Sequence, residues 1–335
     1  MLSIRELRDR AVIRPIKRAV EDQLLDLPGV TAVDIGAQHR AGRSTGQQVI
    51  VVSVVRKTPR EQLKPGACVP ADVFGIPTDV IEEQPVLQHI HCAENEPLTP
   101  RPRRAERPGV ISGGSGIAPC RAVHLVPPEV AAAGPHRRIG TLGALVTGAA
   151  PMVVPMGLTT FDVGCLDDGW SVGDRMLDPE GGRVHAELAR AALSGRVDAA
   201  AVALAPGSAT TCVVEGIGPI TGPATAYPGE RVRKHGFGTA VTVGVVTSVD
   251  ATLRIDHGEA LGVRILREQI RVVGPEARFC GPGDAGAAVL GPGGRVVGLH
   301  VAGSCDGAVG FASPIADVLA ELDVELCIEP QRIHA

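Results

Sequence analysis

Short runs of β-branched and apolar residues, each cut off by glycine or proline after a few positions, set the main constraint on how this chain folds. Val49-Ile50-Val51-Val52-Ser53-Val54-Val55, Val241-Thr242-Val243-Gly244-Val245-Val246, Ile265-Leu266-Arg267-Glu268-Gln269-Ile270-Arg271-Val272-Val273 and Val296-Val297-Gly298-Leu299-His300-Val301 are examples. Such runs suit strands, and 42 glycines and 27 prolines in 335 residues supply turns while interrupting helices. One uncharged stretch, 139–161, is long enough to span a bilayer. It is broken by Gly140, Gly143, Gly148, Pro151, Pro155 and Gly157, so it is expected as a hairpin and no membrane span is predicted.

Helices are expected at few places. Leu7, Val12, Ile16, Val20, Leu24 and Leu25 recur at helical spacing between Ser3 and Leu27, with charged residues of both signs between them, and Pro28-Gly29 ends the pattern. Thr58 to Leu63 reads as one helical turn, Arg183 to Ser194 as a helix, and Pro314 to Leu322 as a closing helix capped by Ser313. Four segments follow: a small α+β domain over 1–83 (helix plus hairpins), a Pro/Arg-rich linker over 84–108, and β-rich bodies over 109–207 and 208–327.

Composition narrows the function classes. A formal net charge of −4 argues against nucleic acid as a main partner, and 2% aromatics leave no base-stacking platform. The stretch Met1-Leu2-Ser3-Ile4-Arg5-Glu6 has no basic-then-apolar secretory pattern, so a cytoplasmic location with reduced thiols is expected for the 8 cysteines. No Cys-x-x-Cys pair supports a zinc site, and no cofactor is predicted. His89-x-His91-Cys92 resembles a metal clip but sits in the proline-rich connector, where a chance loop cluster is the expectation.

Near the C-terminus stands Phe279-Cys280-Gly281-Pro282-Gly283-Asp284-Ala285-Gly286, followed by Ala287-Ala288-Val289-Leu290 and the Val296–Val301 run. Upstream lie Gly140-Thr141-Leu142-Gly143, Leu158-Thr159-Thr160-Phe161-Asp162-Val163-Gly164-Cys165 and Val197-Asp198-Ala199-Ala200-Ala201-Val202. Together these resemble the trypsin-like serine proteases, in the non-secreted bacterial branch with an additional N-terminal domain, over about Gly113 to Leu322. The resemblance implies a mainly β protein: a chymotrypsin-like double β-barrel with a C-terminal helix, preceded by the small α+β domain. It also implies that Cys280 and Cys305 stand where secreted relatives carry a bridge; a disulfide and two separate thiols both stay open.

Carried over residue by residue, the resemblance places Ala285 at the nucleophilic serine, Asp162 at the general-base histidine and Asp198 at the aspartate that orients it. A methyl group cannot attack a carbonyl, and a carboxylate is a weak base near neutral pH. Binding elements are expected to survive. The backbone N–H groups of Gly283 and Ala285, in the loop with Asp284 and Gly286, should form an anion-accepting nest. Phe279 should floor a pocket, and the strand from Leu299 and His300 to Gly303 should accept an extended peptide by strand addition. Asp162 and Asp198 should repel each other unless an arginine or other cation lies between them. The expected function is therefore that of a protease homologue without catalysis, binding a peptide or protein. Two alternatives stand beside it: an active serine endopeptidase whose serine has been replaced by Ala285, and a scaffold that forms homo-oligomers through the N-terminal domain.

Overall fold

The computed structural model describes residues 3–40, 43–93, 109–148, 154–275 and 278–328. Helix α1 (Ile4–Leu25) starts at a capping box, in which the Ser3 side chain accepts from the Glu6 N–H and the Glu6 side chain accepts from the Ser3 N–H. Its apolar face, with Ile13, Val20, Leu24 and Leu25, buries against the hairpin β1 (Val30–Arg40) and β2 (Arg43–Val54). The short strands β3 (Asp72–Val73) and β4 (Ile76–Glu82) follow, β4 running parallel to β2. The turn expected at Thr58–Leu63 is a 3-10 helix at Arg60–Gln62.

Residues 84–93, in the stretch expected to be a linker, form strands β5 (Val86–Leu87) and β6 (Ile90–Ala93); 94–108 lie outside the described residues. Their partners belong to two large sheets. The first is built from β6, β8 (Ser115–Pro119), β9 (Val123–Leu125), β10 (Gly134–Leu142), β11 (Leu145–Gly148), β12 (Pro155–Thr159), β13 (Arg175–Leu177), β14 (Val184–Leu193) and β15 (Asp198–Leu204), with β25 (Val324–Leu326) at its end. The stretch 139–161 thus supplies β11 and β12, which pair as a hairpin, and the end of β10; 149–153 lie outside the described residues. Helix α2 (Phe161–Cys165) follows β12 directly.

The helix expected at Arg183–Ser194 is instead strand β14, paired with β13 on one side and β15 on the other. Its Ala-Glu-Leu-Ala-Arg-Ala-Ala-Leu sequence favours helix locally. Facing it, Ala199, Ala200 and Ala201 are fully buried, and the cross-strand packing available there outweighs intrinsic propensity.

Between the sheets, β7 (Val110–Gly113), β16 (Ala209–Val214) and β17 (Gly218–Pro219) form a small third sheet. In the second large sheet, β19 (Arg231–Gly236), β20 (Ala240–Asp256), β21 (Val263–Val273), β22 (Ala288–Leu290), β23 (Arg295–Gly303) and β24 (Val309–Pro314) close into a ring, because β19 pairs with both β22 and β20. Strands β18 (Gly222–Pro223) and β5 add to β23. The N-terminal hairpin joins the same sheet through β1 and β20, with Ala32 opposite Leu253.

Helix α3 (Ile315–Glu321) sets Ile315 and Val318 into a core shared with Val146, Leu158 and Leu299, and so ties the two sheets together. Pro314, not Ser313, precedes it and offers no side-chain cap; Ser313 lies on β24 and donates to Gln269 Oε1 at 3.1 Å. The architecture is mainly β, with two strand-built halves, an N-terminal helix and a C-terminal helix. Among the described residues no helix is long and apolar enough to cross a membrane.

Candidate functional site

The loop before β22 is shaped by one buried charge pair. Lys234 on β19 and Asp284 are both fully buried, with Nζ 2.6 Å from Oδ2. Asp284 also accepts from the Thr239 hydroxyl at 2.7 Å, the Thr239 N–H at 3.0 Å and the Gly281 N–H at 3.0 Å. A buried carboxylate satisfied this fully fixes the backbone on either side of it. Gly283 and Gly286 each take φ +94°, and a Cβ on Gly286 would lie 2.2 Å from the Thr141 carbonyl oxygen, so glycine is required there. Thr141 holds the loop from the first sheet: its hydroxyl donates to Gly283 O at 2.7 Å and its N–H to Ala285 O at 2.8 Å. With the carbonyls committed, the Gly283 and Ala285 N–H groups converge on the other side.

That two-donor nest is occupied by the chain itself. The Gln88 carbonyl oxygen accepts from Gly283 N–H at 2.6 Å and Ala285 N–H at 3.1 Å. Immediately before it, β5 pairs antiparallel with the end of β23, Leu87 opposite Ala302 and Val86 opposite Gly303. One short strap therefore engages the nest and the last two residues of the expected binding strand, whereas Leu299 and His300, expected to accept a peptide, are already taken up by the β22 side and β24.

The Gln88 side chain is 3% exposed. A Cβ on Gly303 would lie 2.3 Å from Cys280 Sγ and 3.2 Å from Gln88 Cδ, so strap and thiol meet over a position that only glycine leaves open. Phe279 lies deeper, fully buried, edge-on to the His300 ring at 6.1 Å. Among the described residues, Gln88 Oε1 and both ring nitrogens of His300 are buried without a hydrogen-bond partner. Burial, with Lys234 adding to it, holds His300 well below the usual imidazole range, so its ring is neutral. Cys280 and Cys305 are separate thiols, and burial pushes the Cys280 thiol up to about 12, which leaves it unreactive.

The side of the site formed by α2 and β15 is wired differently. Asp162 lies in the first turn of α2 and is fully buried. Its Oδ1 accepts from Arg138 Nη1 at 2.6 Å, and His89, the residue after Gln88, brings Nδ1 within 2.6 Å of Oδ2. Burial alone would raise this carboxyl, but Arg138 and then His89 outweigh it and hold it well below the usual carboxylate range. Such a group stays ionised and has almost no affinity for a proton, so it cannot act as a general base near neutral pH.

Asp198 opens β15, with Oδ1 accepting the Phe161 N–H at 2.7 Å and Oδ2 2.8 Å from His257 Nε2. His257 is buried, which by itself would lower its pKa, but the hydrogen bond and charge of Asp198 raise it overall. Each carboxylate thus has its own basic partner, and the repulsion expected between them is relieved by Arg138 on one and His257 on the other.

Of the residues singled out from the sequence, Gly283, Asp284, Ala285 and Gly286 form the nest loop. Phe279, Leu299 and His300 lie in the core behind it, and Asp162 and Asp198 meet through α2 and β15. Sequence reasoning missed Gln88, Arg138, Lys234 and His257. His89 and His91 lie not in a chance loop but just after the strap, where β6 pairs with β10 so that His91 is opposite Arg138. Among the described residues no group of three metal-ligating side chains is assembled.

No family model and no curated protein matches the chain. Solved structures do, among them bacterial serine proteases of the trypsin/chymotrypsin fold. Thermobifida fusca Protease A is 20% identical with a TM-score of 0.48, the match covering 65% of this chain and 99% of that one. Nocardiopsis protease is 20% identical with a TM-score of 0.48, covering 64% and 98%. Cellulomonas bogoriensis chymotrypsin is 18% identical with a TM-score of 0.45, covering 65% and 98%.

Proposed function

We propose that this chain is a trypsin-like serine protease homologue that no longer cleaves and works by holding a peptide or protein segment in its cleft. One observation carries the reading. Ala285 stands where the resemblance puts the nucleophile, while its N–H, with that of Gly283, holds a peptide carbonyl. Binding needs only those main-chain donors and the edge of β23, whereas cleavage needs a hydroxyl and a base. Asp162, ion-paired to Arg138, supplies no base. The test is reaction with a fluorophosphonate probe together with hydrolysis of casein and of a peptide library. The reading expects neither labelling nor turnover; probe attachment to any serine lining the cleft overturns it.

A second reading, an active endopeptidase whose serine is replaced at position 285, draws support from the buried Asp198–His257 pair and from the Gln88–His89 peptide lying against the loop. It expects the Ala285→Ser variant to cleave by itself.

A further inference from the structure

We infer that the cleft is a glutamine-reading peptide site, closed in the free protein by its own Val86-Leu87-Gln88 strap, and that an extended segment of another protein ending its docked run in Leu-Gln binds by displacing it. The inference rests on the reading of the cleft as a peptide-binding site and names the ligand that the site takes. Its basis is a built site with a resident ligand. Gln88 offers its carbonyl to two convergent N–H donors, its two preceding residues complete strand pairs with Ala302 and Gly303, and its side chain is buried beside Cys280.

The pocket chemistry selects a neutral amide of this length. Lys234, which lies 5.3 Å from the Phe279 ring centroid, is committed to Asp284, and Asp284 to Lys234. A lysine or arginine there would find Asp284 already paired with Lys234. A glutamate could not donate to the Val86 carbonyl oxygen, which accepts from Gln88 Nε2 at 3.4 Å. Burying either charge without a partner is disfavoured, whereas glutamine carries none.

The strap is also an imperfect occupant. Only two residues of β5 pair with β23, and Gln88 Oε1 is buried without a partner among the described residues. A ligand in trans whose flanks are free to adjust does not carry that fault by necessity. A site filled by a tethered competitor binds an external ligand more weakly by the fraction of time that it stands open, so loosening the strap should strengthen binding in trans.

The experiment uses the full chain and a fluorescein-labelled peptide with the sequence of residues 85–91, followed by anisotropy. Leu87→Asp and Gln88→Lys each weaken the strap. Hydrogen exchange at the Gly283 and Ala285 amides, which lose their acceptor when the strap leaves, reports its release. Both variants should lose protection there, bind the peptide about tenfold or more tightly than the unaltered chain, and regain protection when it is bound. Peptides with Lys or Glu in place of the glutamine should bind about tenfold or more weakly.

If the loosened variants bind the Gln, Lys and Glu peptides equally, glutamine reading is wrong while the cleft remains a peptide site. If the amides are released but no peptide binds, the peptide-binding reading falls as well. If both variants keep full protection, the segment is held without regard to Leu87 or Gln88, which overturns the inference.

Discussion

The two walls of the cleft teach different lessons. On the second-sheet wall the main-chain apparatus is complete: Lys234 and Asp284 set the loop, two glycines at positive φ shape it, and its donors point at a carbonyl oxygen that is present. On the first-sheet side the buried charges are paired off. Asp162 is ion-paired with Arg138 and lies against His89, and Asp198 lies against His257. Backbone donors survive substitution of the residue that carries them, whereas a nucleophile or a base is lost with a single side chain. On the proposed reading, such a site stops reacting and goes on binding.

Removing the charge behind the binding wall should have the largest effect. Lys234→Met leaves Asp284 buried and uncompensated, and a loss of about 3–5 kcal/mol is expected in chemical denaturation. The nest should open with it, read as faster exchange at the Gly283 and Ala285 amides. A loss confined to stability, with the nest intact, would break the link drawn between the ion pair and the loop.

The opposite wall should respond less and with a different pH signature. Arg138→Met leaves Asp162 with His89 alone and should cost about 2–3 kcal/mol at pH 7. In the unaltered chain Asp162 has a folded pKa below its unfolded value. Its contribution is therefore present above the unfolded value and lost as pH falls toward the folded one. The variant should lack that contribution and begin to unfold at higher pH. Asp162→Asn placed on Arg138→Met should recover part of the loss, and a double-mutant cycle measures the coupling.

These two walls were not equally legible in the sequence. The β-rich body, α1, α3 and the nest loop could be read because each depends on local pattern: turn residues, apolar period or a contiguous motif. The strap could not. Val86-Leu87-Gln88 is too short for a period, and its proline-rich surroundings read as a connector; only the long-range pairing with β23 makes it a strand. His257 is missed for the same reason, since nothing in Asp256-His257-Gly258 points to Asp198, 59 positions away along the chain. The Arg183–Ser194 segment shows the reverse failure, a strong local signal overruled by neighbours.

A smaller effect joins the walls through the strap. His91 is pushed down to about 3, first by burial and then by His89 and Arg138, while Asp162 opposes and His136 adds to the fall. The docked strap therefore keeps His91 neutral, and a released strap binds a proton below its ordinary pKa of about 6.5. Docking should be full above that pH and weaken on acidification, on the order of tenfold between pH 7.5 and 5. Exchange at Ala285 measured across that range checks the sign; stronger docking in acid would contradict it. The smallest change expected is at neither wall: Ser3→Ala removes the cap of α1 and should cost about 1 kcal/mol while leaving the nest amides untouched.

The proposed contrast between a grip that is kept and chemistry that is lost is tested most directly by placing a hydroxyl at position 285. In Ala285→Ser the Gln88 carbonyl carbon would lie beside a serine oxygen, so a competent base would let that oxygen add to it. The bond to the His89 nitrogen would then break, and water would release residues 1–88. Intact-mass spectrometry of the purified Ala285→Ser chain after prolonged incubation at pH 7.5 should find one uncut polypeptide, because Asp162 takes up no proton there. Paired fragments ending at Gln88 and beginning at His89 would contradict that account.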